Sequence, residues 1–134
     1  MSNVVPARPA DHALGAEDAL RAALESEREV RWAYLFGSAS RAEPFRDLDV
    51  AVMLQPGALP GVELGGLVAA LQAATRLPVD LVDLSVAPAS LRAKVAARGR
   101  ILVDREPAAR AAWEQAGFPA EQFCLLAHGE TLVI

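Results

Sequence analysis

LFGSASRAEPFRDLDVAV, residues 35–52, sets Gly37-Ser38 directly after one apolar run and Asp47-Leu48-Asp49 at the head of the next. Carboxylates at positions i and i+2 of a strand point to the same side. Like charges so placed repel, and a cation between them relieves the repulsion. The strand reading rests on clean alternation. Leu48, Val50, Val52 and Leu54 share one face, while Asp47, Asp49, Ala51 and Met53 share the other. The preceding run, VRWAYLF (30–36), is β-branched and aromatic and reads as a second strand that stops at Gly37.

Outward from this pair the chain alternates helices and strands. AEDALRAALESERE (16–29) has acids in its expected first turn and Leu20 and Leu24 one turn apart, which predicts a helix. After the turn residues PGALPG, Leu64, Leu67, Val68 and Leu71 form the stripe of a helix packed on a sheet. VDLVDL is a third strand, PASLRAKVAAR a helix ending at Gly99, and RILVD a short fourth strand. Pro107 opens a last helix through Trp113, which Gly117-Phe118-Pro119 breaks. The link between the first two strands is too short for a parallel crossover. The expected fold is α/β of the α+β type, a mixed sheet of about four strands with helices mainly on one face. The Asp47/Asp49 face is then comparatively open.

The expected organisation is a loose arm over 1–15, one domain over 16–116 and a C-terminal extension over 117–134. The extension carries Phe123, Leu125, Leu126 and an apolar end at Leu132–Ile134, suited to packing, an added sheet edge or a partner. A net charge of −4 with no basic run argues against gripping a long nucleic acid. A nucleotide escorted by metal ions remains compatible. The one cysteine, Cys124, forms no intrachain disulfide, and no Cys/His set exists to hold zinc. With no signal-peptide core and no run of roughly 18 apolar residues, a cytoplasmic protein is expected. His12 and His128 are isolated and read as surface polar residues; Trp32 and Trp113 read as core aromatics.

The chemistry follows from residue types. Gly37 lets the backbone approach a ligand, and Ser38 offers a hydroxyl beside free N–H groups that favour an anion. Asp47 and Asp49 suit a hard cation such as Mg²⁺. Phosphate cradle and carboxylate pair together form the apparatus of metal-assisted phosphoryl or nucleotidyl transfer. A third carboxylate on a neighbouring strand would complete it. VDLVDL supplies Asp80 and Asp83, which face opposite sides, and its aliphatics leave the choice open.

LFGSASR, DLDVAV and VDLVDL, from Val30 to about Pro107, resemble the minimal nucleotidyltransferases of the DNA polymerase β superfamily. The similarity is to the antitoxin of MNT–HEPN toxin–antitoxin pairs. The resemblance implies that Gly37 and Ser38 hold the β- and γ-phosphates of a nucleoside triphosphate, ATP. Asp47 and Asp49 would bind two Mg²⁺ ions, and Asp80, rather than Asp83, would be the third catalytic and metal-binding carboxylate. Asp83 is then a strand-end or capping residue. Arg41 matches a basic position able to touch phosphate, with a turn residue paired to Glu43 as its alternative.

The implied activity is adenylyl transfer from ATP to a hydroxyl, a tyrosine of a HEPN-domain toxin, with the partner or a homo-oligomer presenting the acceptor. The eight residues from Ala39 to Arg46 make the Ser38-to-Asp47 loop shorter than is usual in the family, and Ala42 replaces a frequent glycine. This supports an alternative, a catalytically degenerate antitoxin or interaction module that neutralises its partner by binding. A further alternative is a small-molecule nucleotidyltransferase, for instance one acting on an antibiotic hydroxyl.

Overall fold

The computed structural model describes residues 12–37, 40, 47–56 and 60–116. In chain order these form α1 (His12–Glu25), β1 (Val30–Phe36), β2 (Leu48–Leu54), α2 (Pro60–Thr75), β3 (Val79–Asp83), α3 (Ala89–Arg98), β4 (Arg100–Asp104) and α4 (Pro107–Ala116). The strands lie in the order β3-β2-β1-β4. β1 runs antiparallel to both β2 and β4, and β2 runs parallel to β3 across the α2 connection. The sheet is therefore mixed, as the short β1–β2 link requires.

Helices cover both faces of the sheet, α1 and α2 on one and α3 and α4 on the other, rather than mainly one as expected, because alternation along the strands divides the core in two. Ala33 and Leu35 of β1, Leu48, Val50, Val52 and Leu54 of β2, Val79 of β3 and Leu102 of β4 join Ala16, Leu20 and Leu24 of α1 and Leu67 and Leu71 of α2. Each fully buried Leu or Val there contributes about 1.5–3 kcal/mol relative to exposure. This face holds most of the buried apolar residues. On the other, Trp32, Tyr34, Ala51, Met53, Leu84 and Val95 form a smaller cluster, with Leu91 of α3 and Ala109 and Trp113 of α4 packed against it. The Trp32 and Trp113 rings meet at 6.0 Å, and Tyr34 and Trp113 at 6.1 Å. Both tryptophans are thus packing aromatics, as their sequence context indicated.

α1 starts at His12 and stops at Glu25, so it is shifted toward the N-terminus relative to the expected 16–29. Glu17 and Asp18 consequently do not occupy its first turn, and their role is not to complement the helix dipole. Glu17 is only 5% exposed and meets Arg21 at 2.8 Å and Arg100 at 3.0 Å, tying α1 to β4. A carboxylate so buried requires such partners. Just past this stop, Arg105 donates to the carbonyls of Glu25 at the helix end, Glu27 in the turn after it (3.0 Å) and Val30 at the start of β1 (2.6 Å), tying that turn to the residue after β4. Gly99 ends α3 as expected, but with φ −72°. It is needed for close packing instead, because a Cβ there would lie 2.6 Å from the Val95 carbonyl and 3.0 Å from Tyr34. No helix of the described residues is long and apolar enough to cross a membrane.

Candidate functional site

β1 ends at Phe36, directly opposite Asp49 on β2, and Asp49 in turn is the register partner of Asp80 on β3. One row of the sheet therefore carries Asp80, Asp49 and the residue before Gly37. Side chains two apart on a strand share a face, so the row can be oriented. Ala51 and Met53 of β2 and Val82 of β3 belong to the α3/α4-side cluster, which puts Asp49 and Asp80 on that side. Asp47 precedes β2 and is exposed, Asp49 is half-buried and Asp80 is exposed.

Gly37 adopts φ +76°, the left-handed region that favours glycine. A second reason is steric. A Cβ at position 37 would fall 2.1 Å from Oδ2 of Asp49, so the carboxylate packs into space that any other residue would occupy. The turn after β1 and the acid on β2 are thus fitted to each other. The Ser40 hydroxyl donates to the Gly37 carbonyl at 2.8 Å, and the Ser40 N–H reaches the same oxygen at 3.2 Å. These two bonds hold the turn, a role the sequence reading did not give Ser40. A Ser three residues after the turn glycine is the signal that could have indicated it. Ser38 and Arg41 lie outside the described residues.

Asp80 and Asp83, which alternation left undistinguished, lie in different surroundings. Asp83 pairs in register with Val52, a residue of the larger core, and is 7% exposed. Its Oδ1 accepts hydrogen bonds from the Ser85 N–H at 3.0 Å and the Ser85 hydroxyl at 2.7 Å. Asp83 therefore caps the end of β3, on the face away from Asp49. Asp80 stands beside Asp49.

The donor set at this end of the sheet is all carboxylate oxygen, which suits a hard cation such as Mg²⁺ rather than a thiophilic metal. Adjacent strands are separated by about 4.8 Å, within range of a shared or paired metal site. Among the described residues, no three His, Cys, Asp or Glu side chains converge closely enough to enclose an ion.

Behind the site, the smaller cluster is braced by polar contacts. The Tyr34 hydroxyl donates to Glu114 at 2.6 Å, and Arg110 bridges Glu114 (3.0 Å) and Asp104 (2.8 Å). Burial, reinforced by the bond to Glu114, pushes the Tyr34 hydroxyl far above the ordinary tyrosine range. Tyr34 is thereby a fixed hydrogen-bond donor between β1 and α4 rather than a titrating group.

The family described as Polymerase beta, Nucleotidyltransferase matches residues 18–108. Among solved structures, the chain is similar to one in the complex of a tri-AMPylated HEPN toxin with an MNT antitoxin from Shewanella oneidensis. The identity is 25%, with 84% of this chain and 88% of that chain covered and a TM-score of 0.66. A toxin–antitoxin structure with AMP-PNP gives 26% identity, 84% and 97% coverage and a TM-score of 0.61. The MntA–HepT toxin–antitoxin complex shares the fold at a TM-score of 0.64, with 24% identity and 81% and 86% coverage. No curated protein sequence matches this one.

Proposed function

Because the chain belongs to the polymerase β nucleotidyltransferase family, we propose that it transfers AMP from ATP, with Mg²⁺, to a hydroxyl of a HEPN toxin and so acts as that toxin's antitoxin. The observation that carries this reading is the Phe36–Asp49–Asp80 row with Gly37 directly after it, in which a left-handed glycine turn abuts one acid and a second acid stands beside it. Similarity to chains of complexes described with HEPN toxin and with AMP-PNP supports the partner and the nucleotide.

In this reading Asp47, Asp49 and Asp80 hold Mg²⁺, which supplies charge neutralisation for the attacking and leaving oxygens. Gly37 and Ser38 receive the β- and γ-phosphates at the turn, and Arg41 adds a cation to them. Asp80 accepts the proton of the acceptor hydroxyl, a tyrosine O–H. That oxygen bonds to the α-phosphorus as the bond to the bridging oxygen breaks, and pyrophosphate leaves. The turn fixes the triphosphate relative to the acids, and such positioning matters because a displacement of about 1 Å can cost roughly a hundredfold in rate.

A second reading, neutralisation of the partner by binding alone, is favoured by the short Ser38-to-Asp47 loop. Mass spectrometry of a co-expressed HEPN toxin separates the two. Transfer predicts an added AMP that disappears with Asp47→Asn/Asp49→Asn, together with loss of neutralisation. Neutralisation that survives the double variant, with no AMP added by the wild type, would establish the binding reading instead.

A further inference from the structure

We propose that Lys94 and Arg98 on α3 form a cationic rim beside the carboxylate site that holds the phosphate of an acceptor already carrying AMP. This rests on the adenylyl-transfer reading above. The first observation is an imbalance of charge. Arg21, Arg31, Arg100 and Arg110 each meet a carboxylate, and Arg105 is used on main-chain carbonyls, whereas Arg28 and Arg76, like Lys94 and Arg98, are exposed with no ion pair among the described residues. α3, ASLRAKVAAR, carries Arg92, Lys94 and Arg98 and no acid at all. Lys94 and Arg98 are exposed and make no ion pair or hydrogen bond among the described residues. They stand at i and i+4, where like charges destabilise a helix. The helix dipole rewards Arg98 in the last turn, but Lys94 stands a turn earlier.

The second observation is where the topology puts them. β4 begins at Arg100, the register partner of Leu35, one residue from the Phe36–Asp49–Asp80 row. Gly99 packs on Tyr34, whose side chain belongs to the same sheet face as Asp49. α3 thus ends on the site's face and at the site's end of the sheet. The strand that α3 leads into, β4, is separated from β2 by β1 alone. The three acids repel an incoming anion, and a cationic rim there offsets the repulsion and orients it.

The occupant follows from the product. Each transferred AMP leaves a phosphodiester charge on the acceptor, so every later transfer must accommodate an anionic acceptor. The toxin of the Shewanella oneidensis complex is tri-AMPylated, a state reached only by adding AMP to a molecule already bearing it. The rim would thus govern the later additions more than the first.

The test uses the full chain as wild type, as Lys94→Glu/Arg98→Glu, and as Lys94→Arg/Arg98→Lys. Fluorescence anisotropy measures binding of a labelled 5′-phosphorylated triadenylate, calorimetry measures Mg–ATP binding, and mass spectrometry follows AMP transfer to a tyrosine peptide with and without a prior AMP. Charge reversal is expected to weaken triadenylate binding roughly tenfold and flatten its salt dependence, while Mg–ATP affinity stays within about twofold. Transfer to the AMP-bearing peptide falls correspondingly, transfer to the bare peptide does not, and the conservative variant matches wild type. Unchanged triadenylate binding on reversal overturns the proposal. Loss of Mg–ATP binding in parallel also overturns it, by assigning the pair to the nucleotide. A wild type that transfers AMP neither to the peptides nor to a co-expressed HEPN toxin breaks the adenylyl-transfer reading, while the anisotropy result still decides whether the rim binds phosphate.

Discussion

The two faces of β2 present opposite chemistry from one seven-residue strand. Leu48, Val50, Val52 and Leu54 lie in an aliphatic core under α1 and α2. One residue out of phase, Ala51 and Met53 pack under a smaller aromatic cluster, and Asp49 opens onto the site. The first face supplies stability, and the second combines packing at one end with charge at the other. A single-residue slip in register would exchange them, so the dense core of one face also fixes where the acids stand.

The comparison can be broken by substitutions on either side. The largest effect is expected at Asp49→Asn, on the order of a hundredfold or more in AMP transfer, because one charge of the donor set is gone. Its thermal midpoint should remain within a few degrees of wild type, about 1 kcal/mol or less. A collapse of the midpoint would show that Asp49 is a structural residue. Leu71→Ala should behave in the reverse sense, losing about 2–5 kcal/mol in denaturant unfolding while the folded protein keeps its nucleotide affinity.

Gly37→Ala sharpens the boundary, since it touches both. The left-handed backbone costs roughly 1–2 kcal/mol for a residue with a Cβ, and that Cβ must displace the Asp49 carboxylate. Both the unfolding midpoint and Mg–ATP binding should fall. A variant with lowered stability and intact binding would separate the turn from the site. Tyr34→Phe is expected to cost about 1 kcal/mol by removing the bond to Glu114, without altering nucleotide binding.

The smallest effect concerns acid. The hydrogen bond from Arg31 holds the Glu106 carboxyl below its ordinary range. A folded-state value below the unfolded one stabilises the protein above the ordinary glutamate range, and that contribution is lost as pH falls through the folded value. Glu106→Gln should therefore flatten the acid limb of the stability–pH curve slightly and leave neutral-pH activity unchanged. An unaltered acid limb would mean the pair contributes nothing measurable, as surface pairs often do.

Much of this was legible in the sequence because alternation is a local signal. β1 and β4 have the bounds read from VRWAYLF and RILVD, and the parity of Asp49 against Val50 held throughout β2. What was not legible depends on distant residues. α1 stops at Glu25, where Arg105, arriving from the other end of the domain, donates to the Glu25 carbonyl and to that of Glu27 just beyond it. Periodicity could not assign Asp80 and Asp83 because aliphatic residues occupy both parities of VDLVDL; the register with β2 and the Ser85 cap put them on opposite faces. The reason for Gly37 was half visible. Close approach was foreseen, but toward a ligand, whereas the atom that demands the space within the fold is the Asp49 carboxylate.

The most direct test of the central claim is calorimetric titration of ATP into the protein with and without Mg²⁺, for wild type and for Asp47→Asn/Asp49→Asn. Binding is expected to require Mg²⁺ and to be abolished in the double variant, with the melting transition retained. Metal-independent binding of equal affinity in both proteins would contradict the claim, because the paired acids would then have no part in holding a metal–nucleotide.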